Sequence, residues 1–102
     1  AYQPKNLVHL VLDNGTYDST GGQPTVSGGV DFAGCAVASG YKHGVRADDI
    51  AGLKNALDGA LKSDGPTLIH MKIAPGSLSK LGRPTVKPAE VARRFKAFLA
   101  EN

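Results

Sequence analysis

The sequence is poor in several things, and each shortage excludes something. Its 102 residues include one cysteine, Cys35, one methionine and no tryptophan. A lone cysteine rules out an internal disulfide and a zinc cluster built on cysteines, and it fits a reducing, cytoplasmic setting. Charge of one sign is also scarce. Twelve Lys and Arg stand against nine Asp and Glu, a net charge of +3 with no basic run, so no nucleic-acid partner is expected. No apolar stretch approaches the roughly 20 residues of a spanning helix, so no membrane partner is expected either. No charged segment leads into an apolar one at the start, so no secretory signal is expected. With 41% hydrophobic and 21% charged residues, the composition suits one soluble globular domain. What is plentiful is glycine: 13 residues, nearly double the usual roughly 7%, and clustered.

The run Leu7-Val8-His9-Leu10-Val11-Leu12 reads as a strand buried on both faces, as in a parallel sheet. A polar, Gly-rich loop follows from Asp13 to Gly29, far longer than the usual connection of roughly 4–6 residues. Asp31 caps a short Ala- and Gly-rich helix through Phe32, Cys35 and Val37, with Gly40 as its stop. Small residues there imply that something packs closely against it, and Cys35 is read as buried packing. Tyr41 to Ala47 gives a weak strand. Asp48 or Asp49 caps a second helix with Ile50, Leu53, Leu57 and Leu61 at helical spacing, broken at Ser63-Asp64-Gly65-Pro66. Thr67 to Ile73 is a third strand. Pro88 opens a last helix with Val91, Phe95, Phe98 and Leu99 on one face and Arg93, Arg94 and Lys96 mostly off it. Alternating strands and helices predict an α/β fold: a three-layer parallel sheet with flanking helices. Three strands make a thin sheet, and a chain that begins at Ala1 and enters a strand at once is read as a piece of something longer.

Ligands of open α/β sheets sit beyond the carboxyl ends of the strands, where the loop after Leu12 begins. Asp13-Asn14-Gly15-Thr16-Tyr17-Asp18-Ser19-Thr20-Gly21-Gly22-Gln23-Pro24-Thr25 brings a carboxylate, an amide and exposed carbonyls to that point. Oxygen donors of this kind suit Mg²⁺ or Ca²⁺. A turn-forming Asp-Asn-Gly ahead of a flexible loop explains the same residues without a ligand. No Gly-x-Ser-x-Gly elbow, Rossmann fingerprint or P-loop is present.

This segment resembles the second half of the thiamine diphosphate-binding motif, which starts with Gly-Asp-Gly and ends with Asn-Asn after an apolar strand. Together with Leu81-Gly82-Arg83-Pro84-Thr85, Pro88, Glu90-Val91-Ala92 and Arg94-Phe95, it is similar to the thiamine diphosphate-dependent 2-keto acid decarboxylases, in the branch acting on phosphonopyruvate and sulfopyruvate. The resemblance covers essentially the whole chain. It implies the C-terminal half of the diphosphate-binding domain, with thiamine diphosphate and Mg²⁺ as cofactors. It implies Asn14 (side chain) and Thr16 (backbone carbonyl) as metal ligands, with Asp13, Gly15, Asp18, Ser19 and Thr20 at the cofactor. Asp13 stands where the family has the first Asn. The favoured substrate is 3-phosphonopyruvate, with sulfopyruvate the rival. The Gly-Asp-Gly half and the glutamate that activates the aminopyrimidine are not in this chain, so catalytic residues are not assigned and the chain alone is expected to be inactive. Its partners are then the remaining domains or a partner subunit, and a homo-oligomer is expected. The competing reading is a cofactor-free assembly module of the same fold.

Elsewhere the structural reading is preferred. His9 and His70 fall inside strands, and only His43 is kept as a site candidate. Arg83 is a candidate for a phosphonate or diphosphate, although loop arginines are more often solvated.

Overall fold

The computed structural model describes residues 2–77, 79–80, 82 and 84–101. Three parallel strands form the sheet: β1 (Val8–Asp13), β4 (His43–Ala47) and β5 (Thr67–Lys72), in the order β1-β5-β4. Val8 pairs with Thr67 and Asp13 with Lys72 on one side of β5, and His43 with Thr67 and Ala47 with Met71 on the other. The last strand in sequence is therefore central, and it is the best buried: Ile69 is fully enclosed. A strand buried on both faces was expected at β1, but among the described residues β1 is an edge strand with one neighbour, and Leu12 is 53% exposed.

Strand alternation sorts the helices onto opposite faces. On one face Ile69, Met71 and Ala47 pack with Leu53, Ala56, Leu57 and Ala60 of α2 (Ile50–Lys62). On the other, Phe32 of α1 (Phe32–Ala38) meets the ring of His70, with centroids 4.7 Å apart. The layers are thus helix, sheet, helix. Both predicted caps are present: Asp31 Oδ1 accepts from Gly34 N at 3.0 Å, and Asp49, rather than Asp48, accepts from Gly52 N at 2.6 Å. The stripe that α2 buries is shifted from the one the leucines suggest. Ile50 and Leu61 are largely exposed at the helix ends, while Ala56 and Ala60 let the helix approach the sheet.

Helix α1 also differs from expectation at one position. Cys35 is exposed; the helix packs through Ala36 and Ala33 instead. Gly44 of β4 faces Ala33 so closely that a Cβ there would run into the Ala33 carbonyl. This is the close approach that the small residues of α1 imply.

Helix α3 (Pro88–Glu101) starts at the expected proline, yet none of its residues is buried. Val91, Phe95 and Leu99 leave its apolar stripe facing outward, Phe95 at 62% exposure. The radius of gyration, 16.8 Å, accordingly exceeds the roughly 13 Å of a compact domain of about 100 residues.

Gly44→Ala must separate α1 from β4. The expected loss is about 1–3 kcal/mol in denaturant unfolding, with a smaller change for Gly59→Ala, where a Cβ meets open space.

Candidate functional site

The stretch after β1 is not an open loop. Gly15, at φ +68°, turns the chain into a small antiparallel hairpin of β2 (Thr16–Tyr17) and β3 (Gln23–Pro24). Short 3₁₀ turns at Asp18–Thr20 and Ser27–Gly29 complete it. The left-handed backbone at Gly15 is one that side chains strain to adopt, which is why glycine follows Asn14.

Two carboxylates hold this hairpin. Asp18 accepts from Thr16 Oγ1 at 2.7 Å, from Asn14 Nδ2 at 2.9 Å and from the backbone N–H of Gly76 at 2.8 Å. The Thr16 hydroxyl, then the Gly76 amide and Asn14, hold its carboxyl below the usual 3.8 against an opposing desolvation. Asp13 Oδ1 accepts from Gly15 N at 2.9 Å and from Ser27 Oγ at 2.8 Å, while Oδ2 lies 3.3 Å from His70 Nε2. The Ser27 hydroxyl first, then Gly15 and His70, lower this carboxyl too. The Asp13 and His70 side chains are only 8% and 5% exposed.

These bonds fix the amide of Asn14. Nδ2 donates to Asp18, so Oδ1 must face the other way, where it accepts from Thr16 N at 3.1 Å and keeps a second lone pair. The Thr25 N–H donates to Gly15 O at 2.9 Å, which makes Thr16 and Pro24 a pair that exchanges no hydrogen bonds with each other. The Thr16 carbonyl therefore points away from β3, on the same side as its own N–H. Asn14 Oδ1 and Thr16 O are thus on one side of the hairpin. Their chemistry, two neutral hard oxygens, fits Mg²⁺ or Ca²⁺. They are an incomplete set, and no group of three or more His, Cys, Asp or Glu able to hold a metal occurs among the described residues.

Thr20 and Gln23 brace the exposed tip: Gln23 Nε2 donates to Thr20 O at 3.0 Å, and the Thr20 hydroxyl meets Gln23 Oε1 at 3.1 Å. Ser19 is exposed beside them. His43 lies at the amino end of the sheet, away from the hairpin, with its Nε2 buried and unpartnered among the described residues. Arg83 lies outside the described residues. Sequence reasoning missed Ser27, Gly76 and the part played by His70.

Residues 1–71 match the family described as thiamine pyrophosphate enzyme, C-terminal TPP binding domain. The chain belongs to that family. It is 56% identical over 101 residues to a phosphonopyruvate decarboxylase of Streptomyces hygroscopicus and 58% identical over 99 residues to one of Streptomyces viridochromogenes, covering 99% and 97% of this chain. It spans 25% of the length of each. It is 34% identical over 77 residues to the sulfopyruvate decarboxylase subunit beta of Methanothermobacter thermautotrophicus, 76% of this chain and 39% of that one. In this TPP binding domain the matched region takes in the whole hairpin and stops within β5, just past His70. No helix among the described residues is long and apolar enough to cross a membrane.

Both carboxylates have lowered folded pKa values, so their stabilisation is complete above the unfolded value near 3.8 and fades as pH falls through the folded values. Stability measured by urea unfolding should be flat with respect to these groups at neutral pH and decline below about pH 4. Asp18→Asn should blunt that decline and raise amide exchange at Thr16 and Gly76 roughly tenfold, with little effect in β5.

Proposed function

We propose that this chain supplies metal-binding residues for the diphosphate-anchoring domain of a thiamine diphosphate- and Mg²⁺-dependent 2-keto acid decarboxylase. The favoured substrate is 3-phosphonopyruvate, giving phosphonoacetaldehyde and CO₂. The observation that carries the reading is the Asn14 amide, whose Nδ2 donates to Asp18 while Oδ1 accepts from the Thr16 N–H, and the β2–β3 pairing supports it by turning the Thr16 carbonyl to that same side. Identity of 56–58% to phosphonopyruvate decarboxylases, against 32–34% to sulfopyruvate decarboxylases, favours the first substrate. A braced oxygen-donor hairpin favours a cofactor-binding role over a cofactor-free assembly module.

When bound, thiamine diphosphate supplies the electron sink that decarboxylation needs. The residues here have a more limited task. Asn14 and Thr16 would hold Mg²⁺ through two neutral oxygens, fewer than the about six it takes, so groups outside this chain would have to supply the rest. Asp18 keeps the Asn14 amide from flipping. Asp13, Gly15 and Ser27 hold the turn, and Ser19 and Thr20 present the exposed tip toward cofactor or substrate. The open β1 edge, with Leu10 and Leu12 exposed, and the uncovered stripe of α3 suit cover by further domains or a partner subunit, with a homo-oligomer as the assembled state.

The test is decarboxylation of phosphonopyruvate by the full-length protein with thiamine diphosphate and Mg²⁺. Asn14→Leu, which keeps volume and removes the oxygen, should lower kcat/KM roughly 100-fold or more, with partial recovery at high Mg²⁺. Wild-type activity in the variant would contradict the assignment, and so would turnover by residues 1–102 alone.

A further inference from the structure

Beside the hairpin, on the α1 face of the sheet, a cavity of about 270 Å³ is lined by Ser27, Gly28, Gly29, Arg46, His70 and Lys72, among others. Its place follows from register. Arg46 pairs with His70 across β4 and β5, and Lys72 lies two residues beyond His70 on the same face. A strand spacing of about 4.8 Å and a two-residue rise of about 6.6 Å put the Arg46 and Lys72 backbones roughly 8 Å apart. Both side chains are long enough to converge on one small ligand between them.

The charges on this lining are unevenly used. The Lys72 ammonium has no carboxylate partner among the described residues. The Arg46 Nε donates to Asp48 at 3.0 Å, which leaves its two terminal nitrogens to point elsewhere. His70 is held by Asp13. The carboxylate on the lining, Asp31, accepts from Gly34 N at the start of α1. The result is a concave site at the carboxyl end of a parallel sheet with one ammonium that has no carboxylate partner among the described residues, Lys72, and one guanidinium, Arg46, that is ion-paired with Asp48 through Nε alone. A second cavity of about 270 Å³ shares Ser27, Gly28 and Lys72 with the first and is lined by Asp13, Asn14 and Gly15 as well, so the cationic site adjoins the Asn14 turn.

We infer that Arg46 and Lys72 form a site for the tetrahedral oxyanion at the far end of the substrate, a phosphonate or sulfonate carried by a short 2-keto acid. The inference rests on the decarboxylase reading for the source of the anion. Guanidinium groups bind tetrahedral oxyanions through paired N–H donors, and an ammonium adds charge without a fixed direction. The pair therefore sets affinity for the anionic end and takes no part in breaking the carbon–carbon bond.

Two readouts test this in the full-length protein. Lys72→Met and Arg46→Gln replace exposed side chains and should leave the fold intact by thermal unfolding. Each should raise KM for phosphonopyruvate tenfold or more, with kcat within about threefold and thiamine diphosphate affinity unchanged. Independently of turnover, inorganic phosphate should shift the backbone amide resonances of Gly28 and Gly29 in the wild type and fail to do so in Lys72→Met. An unchanged KM in both variants would overturn the inference, as would thiamine diphosphate affinity falling in step with KM, or phosphate that shifts neither glycine. A wild-type protein without decarboxylase activity, yet with phosphate shifts that Lys72→Met abolishes, would leave the oxyanion site standing and defeat the decarboxylase reading alone.

Discussion

The carboxylate of Asp18 draws three donors from three parts of the chain: an amide side chain at the β1 turn, a hydroxyl at the start of β2 and a backbone N–H beyond β5. The Asn14 amide is held from both ends, with Nδ2 donating to this carboxylate and Oδ1 accepting from the Thr16 N–H, and without the negative charge only the second of these bonds opposes a flip. With it, the oxygen is committed to the side where the Thr16 carbonyl also points. The orientation of the Asn14 oxygen thus depends on a residue that need not touch any ligand this oxygen would hold. Charge-assisted bonds of this kind are stronger than neutral ones, and three meet on this single carboxylate.

A second carboxylate does parallel work one layer deeper. Asp13 ends β1, and His70 lies in β5, so their contact joins the two strands at the point where the hairpin leaves the sheet. Phe32 packs against the His70 ring from α1. The hairpin therefore rests on a polar pair enclosed by helix and sheet. That explains how a chain with a small apolar core, centred on Ile69 and Met71, can present an ordered edge.

Much of this was legible from residues. Asp31 and Asp49 declare their helices because a side-chain oxygen ahead of an apolar stripe satisfies an N–H that the helix leaves open. Pro88 marks the start of α3 for another reason: its fixed φ suits the first helical turn, where its missing N–H is not needed. The Asp-Asn-Gly turn marks the candidate site because a hydrophobic strand ends there in oxygen donors. Strand order was not legible: nothing in Leu7–Leu12 says that β5, arriving later, will take the centre and leave β1 at an edge. Cys35 was misread because small residues around it signal a close approach without saying which side of a seven-residue helix makes it. His70 looked like a strand residue with a polar side chain. Its meaning depends on Asp13, 57 positions away, and only the register of a parallel pair brings the two together. The hairpin within the long loop escaped notice because its strands are two residues each, too short for any alternation to show.

The most direct test of the account is a crystal structure of the full-length protein grown with thiamine diphosphate and Mn²⁺ in place of Mg²⁺, with the ion located by its anomalous signal. The account predicts the ion within about 2.0–2.3 Å of both Asn14 Oδ1 and the Thr16 carbonyl oxygen, with Asn14 Nδ2 still on Asp18. An ion bound elsewhere, with the Asn14 amide turned away from it, would contradict the account.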